Sequence, residues 1–486
     1  MPLLKIQTRD TAFVVSTRKA FNFSRFYRTR TRPLHQHHRD SYNYTYLLEH
    51  CKTNKSIKKL HAQIIVGGFE QNPFTATKLV GKYMECECDD SSVGVARKVF
   101  DNLPQRDVFC WNVIIQGYAN WGPCLEAIDM YSRMRLGGLS ANCYTYSFVL
   151  KACGLLGDRN KGQIVHGHAV KSGFELDLYV GNALVAFYSK CKDVETSRKV
   201  FDEMPKRDLI SWNSIISGYN SNGYVDEALQ VFRAMLRDQY FPNQTTLIST
   251  LPACVKKSAI QVGFWIHSYI LKLGMEVDAS LGNGLISMYA NCGQVSIAKE
   301  VFLQIKDKNL DIWSAIIRCC GMHGHASEAL QMFSEFLESG LELDGVMILC
   351  LLLACSHAGM VTEGCRVFEK MELYGVEKNE KHYACMVDLF GRAGFIEQAV
   401  EFVKTMPLQP GKDVYGALLG ACRIHNEMEI AEETAKKLLA LDPENSMGYL
   451  SLAHMYEDAG QWEEAARLRK ELREKKIRKL TGTSSI

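Results

Sequence analysis

The sequence predicts an all-α fold, a solenoid of stacked helical hairpins, on three observations. Trp111, Trp212 and Trp313 stand 101 residues apart, and Cys153, Cys254 and Cys355, each preceded by Ala, keep the same interval. Each period divides into units of 35, 35 and 31 residues. Within a unit the apolar residues come in two bursts at helical spacing: Trp212, Ile215, Ile216 and Tyr219, then, past Asn222 and Gly223, Ala228, Leu229, Phe232 and Met235. A lone hairpin cannot bury such a stripe, whereas stacked hairpins share a continuous core and form a superhelix with a long concave face.

The units follow in order. The first, 41–72, is about three residues short between Cys51 and His61; 73–107 and 108–142 follow it. The next triplet is 143–177, 178–208 and 209–243, and the third is 244–278, 279–309 and 310–344. Units 143–177 and 244–278 carry the Ala-Cys pair and a histidine, His166 or His267. Units 345–379 and 380–411 close the array, two further hairpins span 412–445 and 446–479, and 480–486 form a tail.

Composition sets the surroundings. Most of the 17 cysteines sit at repeat-equivalent positions on apolar helix faces, as Cys153, Cys254, Cys355 and Cys422 do, where a reduced, buried thiol is expected. Residues 1–40 hold nine Lys or Arg against Asp10 and Asp40, with Ser, Thr and aromatic residues between, and are expected to be an organellar transit peptide; the alternative is a basic arm that touches RNA. Without them acids outnumber bases, so any nucleic-acid binding must come from a local groove rather than bulk charge. The apolar run 345–355 is too short to span a membrane, and no membrane partner is expected.

The phrases ARKVFDNLPQRD (96–107), SRKVFDEMPKRD (197–208) and ALLGACRIHNEMEIAEE (417–433), together with the alternating unit lengths, resemble the pentatricopeptide repeat proteins of the plant PLS subfamily. The resemblance runs from about Ser41 to the C-terminus. It implies a right-handed superhelical α-solenoid, with 41–411 a PLS-type array of about eleven repeats and 412–479 two hairpins similar to the E motifs of that subfamily.

Arrays of this type read single-stranded RNA one base per repeat. The resemblance assigns the reading to the fifth and last residues of each repeat. Guanine and uracil carry an N–H at the centre of the pairing edge, which Asp can accept; adenine and cytosine carry a bare nitrogen, to which Asn can donate. A short Thr or Ser at the fifth position leaves room for a purine, and Asn favours a pyrimidine. On this basis Thr77 with Asp107 implies G, Asn112 with Asn142 C or U, and Asn182 with Asp208 U. Asn213 with Asn243 implies C, Asn283 with Asn309 C or U, and Ser314 with Asp344 G. In the long repeats, Thr45 with Asn72 implies A and Ser147 with Asp177 implies G, while Ile248 and Leu349 mark spacer repeats. The competing reading of these Asn, Asp and Ser residues is helix capping and turn formation.

No catalytic residue, metal site or cofactor is expected. A zinc deaminase needs His-x-Glu followed by Pro-Cys-x-x-Cys, and His425-Asn426-Glu427 has no such partner. Cys86 with Cys88 and Cys319 with Cys320 lack zinc spacing, and phosphate-binding and nucleophile motifs are missing. The chain ends where the family's extensions would begin, which leads to the expectation of a recognition subunit without a catalytic domain. The resemblance to the E subgroup implies specification of a cytidine for C-to-U editing, with a DYW-type deaminase and other editing factors joining in trans through the E motifs. The alternatives are an organellar splicing, end-protection or translation factor and, in a different class, a protein-binding scaffold. A mitochondrial destination is expected over a chloroplast one, from the Arg and aromatic residues around Arg25, Phe26 and Tyr27.

Overall fold

A computed structural model describes residues 37–51, 53–85, 90–255 and 259–474. The proposed transit peptide lies almost wholly outside the described residues, as do Cys86, Cys88 and the C-terminal tail. Among the described residues there are 26 α-helices and no strand. They fall into two compact units, one ending at Phe174 and the other beginning at Glu175.

The first unit holds four hairpins: α1 (His37–His50) with α2 (Asn54–Val66), α3 (Pro73–Glu85) with α4 (Asp90–Asp101), α5 (Val108–Trp121) with α6 (Cys124–Leu136), and α7 (Cys143–Leu156) with α8 (Arg159–Lys171). The second opens with α9 (Leu178–Lys190), α10 (Val194–Glu203), α11 (Leu209–Ser221) and α12 (Val225–Arg237). There follow α13 (Gln244–Thr250), continued as a 3-10 turn over Leu251–Val255, then α14 (Ile260–Lys272), α15 (Ala279–Asn291), α16 (Val295–Gln304), α17 (Leu310–Met322) and α18 (Ala326–Glu338). It closes with α19 (Gly345–Ala358), α20 (Val361–Glu369), α21 (Glu380–Arg392), α22 (Ile396–Thr405), α23 (Lys412–His425), α24 (Met428–Leu441), α25 (Ser446–Asp458) and α26 (Trp462–Glu474). Within each unit the first helix of a hairpin packs on its own second helix and on the first helix of the next hairpin. The first helices therefore form one continuous layer in each unit.

The repeated phrases explain the joints. Trp111, Trp212 and Trp313 meet Phe100, Phe201 and Phe302 edge to face, with ring centroids 4.8, 5.0 and 4.8 Å apart. Arg106, Arg207 and Lys308 lie over the same three phenylalanine rings at 5.0, 4.8 and 4.9 Å. Arg106 and Arg207 also donate to the carbonyls of Phe100 and Phe201 at 2.9 and 3.0 Å. Each joint so combines an aromatic pair with a cation held against it. Gly157 and Gly359, at φ 66° and 68°, end α7 and α19 in the left-handed conformation that glycine adopts without penalty. Pro252 has no N–H to donate, and there α13 gives way to the 3-10 turn.

Cys153, Cys254, Cys355 and Cys422 are fully buried. Burial pushes the thiols of Cys254, Cys355 and Cys422 up, to about 12, 11 and 11, which keeps them protonated and unreactive. The long-repeat histidine is also structural: His267 bonds the Tyr289 hydroxyl at 2.8 Å, and burial lowers its pKa. No helix among the described residues is long and apolar enough to cross a membrane.

Candidate nucleic-acid interface

The last residue of a repeat is the N-cap of the next first helix. Its Oδ1 accepts from the backbone N–H three residues on: Asp107 from Cys110 at 2.8 Å, Asn142 from Thr145 at 3.0 Å, Asp208 from Ser211 at 2.9 Å, and Asn243 from Thr246 at 2.9 Å. Asp278, Asn309 and Asp344 cap α15, α17 and α19 in the same way, and Asp177 caps α9. Asn72 accepts from Phe74 and Thr75, both at 3.1 Å, at the start of α3. The capping role weighed against reading is thus present at each of these positions. It uses one oxygen, which Asn and Asp both supply, so the cap cannot discriminate between them. The second atom of the head group, NH2 in one and O⁻ in the other, is where they differ.

Three fifth residues meet these caps directly. Asn112 Nδ2 donates to Asn142 Oδ1 at 3.0 Å, Asn182 Nδ2 to Asp208 Oδ1 at 3.2 Å, and Asn213 Nδ2 to Asn243 Oδ1 at 3.5 Å. The first contact is firm and the last is at the limit of a hydrogen bond. Thr77 is buried, with its hydroxyl against the Cys110 thiol. Asn283 and Ser314 are half-buried on α15 and α17, and no side-chain bond joins them to Asn309 or Asp344 among the described residues. Of the long-repeat residues, Thr45 is buried, and Ser147 Oγ donates back to the Cys143 carbonyl at 2.8 Å. Ile248 packs against the core, as its apolar side chain requires.

Sequence reasoning missed the second residue of the first helix. Tyr179, Ile210 and Val346 are 47%, 59% and 58% exposed. Three residues before the fifth, they share its helix face. Flat or broad apolar groups there offer surfaces on which bases can stack. The available signal was a large apolar residue outside the core stripe. Basic residues join the same face one turn further on: Lys151 follows Ser147 and contacts Asn120 at 2.6 Å, and Arg318 follows Ser314 and contacts Ser287 at 3.5 Å. Both cations thus stand beside the fifth positions of their repeats. No group of three or more potential metal-binding side chains is found among the described residues.

Comparison with known families finds the E motif at residues 425–486, the PPR repeat family at 106–154 and 207–256, and the PPR repeat at 182–209, 283–310, 311–341, 347–376 and 382–408. The E-motif match begins at the last residue of α23, later than the 412 boundary drawn from the sequence. The Arabidopsis thaliana pentatricopeptide repeat-containing protein CRR2, chloroplastic, is 37% identical over 87% of this chain, which spans 65% of that protein. A second Arabidopsis thaliana relative, pentatricopeptide repeat-containing protein At1g06140, mitochondrial, is 35% identical over 92% of this chain and 80% of its own length. Among solved structures, the pentatricopeptide repeat protein PPR10 in complex with an 18-nt psaJ RNA element aligns over 90% of this chain and 65% of that one, with a TM-score of 0.69 at 17% identity. At that identity the likeness is one of fold.

Proposed function

Since the chain belongs to the pentatricopeptide repeat family and carries an E motif, we propose that it binds single-stranded organellar RNA and selects a cytidine for C-to-U editing by a deaminase supplied in trans. Residues 41–411 are read as the PLS-type array and 412–479 as the E-motif hairpins that recruit the deaminase and other editing factors. The observation that carries the reading is the meeting of fifth and last residues at Asn112 and Asn142, Asn182 and Asp208, and Asn213 and Asn243, with only Oδ1 engaged by the cap. That leaves the atom that separates Asn from Asp for the base. Thr77, Asp107, Asn283, Asn309, Ser314 and Asp344 complete the reading set, with Thr45, Asn72, Ser147 and Asp177 as the long-repeat members. The destination is the mitochondrion; the relatives' names include both organelles.

Two measurements test this. The purified chain should bind RNA, convert no cytidine and carry no stoichiometric zinc; conversion by the pure protein would refute a deaminase in trans. Transcriptomes of a line lacking the protein should show loss of C-to-U conversion at discrete sites. Altered introns or termini with editing intact would instead establish a processing factor, and no RNA affinity in the purified array would establish a protein scaffold.

A further inference from the structure

The third residue of each first helix is buried beside the reading pair of the preceding repeat: Cys110 is 1% exposed, and Thr145, Ser211, Thr246, Ile312 and Met347 are fully enclosed. What it does there differs from repeat to repeat. Thr145 Oγ1 lies 2.6 Å from Asn112 Oδ1 and 3.0 Å from Asn142 Oδ1. A hydroxyl has one proton, and the shorter contact claims it. Asn112 is then held at both ends, its carbonyl by Thr145 and one N–H by Asn142. In the sibling repeats the corresponding hydroxyl serves the cap instead: Ser211 Oγ donates to Asp208 Oδ1 and Thr246 Oγ1 to Asn243 Oδ1, both at 2.9 Å. The Oδ1 atoms of Asn182 and Asn213 are left buried without a partner.

We propose that Thr145 is a positioning residue for RNA selectivity: it locks the Asn112 amide, so that the repeat with Asn112 and Asn142 presents a fixed donor to one base. The inference rests on the RNA-reading function proposed above. A locked Asn112 has a single N–H left to offer, and that donor suits the O2 carbonyl of either pyrimidine. It separates pyrimidines from purines without separating C from U. The repeat with Asn213, Asn243 and Thr246 has the same three residue types, but there the hydroxyl bonds Asn243 and not the fifth residue. Its fifth residue is tethered only by the 3.5 Å contact and turns with little loss.

The test uses the purified full chain and two sets of four RNAs, varied at the base assigned to the pair Asn112 and Asn142 or to the pair Asn213 and Asn243. Thr145→Val removes the hydroxyl at nearly constant volume and should lower the pyrimidine-over-purine ratio at its own base about three- to tenfold, the worth of one net hydrogen bond. Thr145→Ser keeps the hydroxyl and should keep the ratio. Thr246→Val loses the equivalent capping-box hydroxyl and should weaken all four RNAs of its set alike. If Thr145→Val does not fold, Thr145→Ala, which leaves room for water, should give the same change of ratio. An unchanged ratio in the Thr145 variants, with wild-type preference at both bases, overturns the positioning role and leaves the reading intact. A wild type without preference at either base overturns both.

Discussion

Replacing Asn213 by Thr and Asn243 by Asp should convert the base read by the central repeat from C to G while leaving the fold almost untouched. Asn243 Oδ1 accepts from Thr246 N and Thr246 Oγ1, each at 2.9 Å, and a carboxylate oxygen accepts from both equally well. Asn and Asp are comparable N-caps, whereas Ala at a cap costs about 1 kcal/mol. Asn213 gives up only its 3.5 Å contact, and its buried, unpartnered carbonyl disappears with it. The net stability change should therefore stay within about 1 kcal/mol. Specificity should move further, because a mismatched base costs about 1 to 3 kcal/mol by analogy with base-edge readout in duplex DNA, or roughly five- to 150-fold in affinity. The assay is equilibrium binding to four RNAs differing at that one base, beside thermal denaturation of wild type, the double variant and Asn243→Ala. Asn243→Ala should lose both stability and selectivity. Failure of the double variant to gain affinity for G relative to C would refute the register or the code. A loss of stability in it as large as that of Asn243→Ala would refute the separation of capping from reading.

Two further outcomes follow from the packing. Gly321→Ala would set a Cβ 2.5 Å from the Cβ of Ala354 and 3.1 Å from its Cα, and neither atom can swing aside; chemical denaturation should show a loss of about 1 to 3 kcal/mol, whereas Gly416→Ala, with open space around it, should be neutral or stabilising. His382 is fully buried, accepts from Asn379 N through Nδ1 at 3.1 Å and contacts the Gly345 carbonyl through Nε2 at 3.0 Å, and burial lowers its pKa from 6.5. The unfolded chain therefore takes up this proton first on acidification, so the His382 contribution is complete above about pH 6.5 and is lost as pH falls towards the folded-state pKa. Between pH 7.5 and 5.5 the melting temperature should fall more for wild type than for His382→Asn, which keeps an acceptor but does not titrate.

The legible part of this chain was the part set by local chemistry repeated at a fixed interval. Helix starts at Val108, Cys143, Leu178, Leu209 and Gln244 each follow an Asn or Asp whose side chain can close the first turn, and that rule needs no tertiary information. The phrase that ends in Arg106-Asp107 or Arg207-Asp208 likewise shows its two roles once folded, the Arg clamping a phenylalanine and the Asp capping a helix. What escaped the sequence depends on which neighbour a side chain chooses. Nothing in the letters distinguishes Thr145, which bonds Asn112, from Thr246, which bonds Asn243, because both follow an Asn three residues earlier at the same phase. Exposure of Tyr179 and Ile210 was hidden for a similar reason: a helical stripe identifies the buried face, and an apolar residue beside that stripe is as often its margin as a separate surface.

Capping and reading were set against each other as explanations of the same Asn and Asp residues, and the geometry removes the competition. A cap asks for an acceptor and is indifferent to what the other branch of the head group carries. A base edge asks only about that other branch. One residue can satisfy both demands because they fall on different atoms, and the Oδ1 held at the helix N-terminus, with the side-chain hydroxyls and amides that also bond it, orients the remaining NH2 or O⁻. An exchange of Asn for Asp at the end of a repeat is therefore close to silent in folding and free to vary in recognition. That is the property a repeat array needs if its specificity is to change while its solenoid does not.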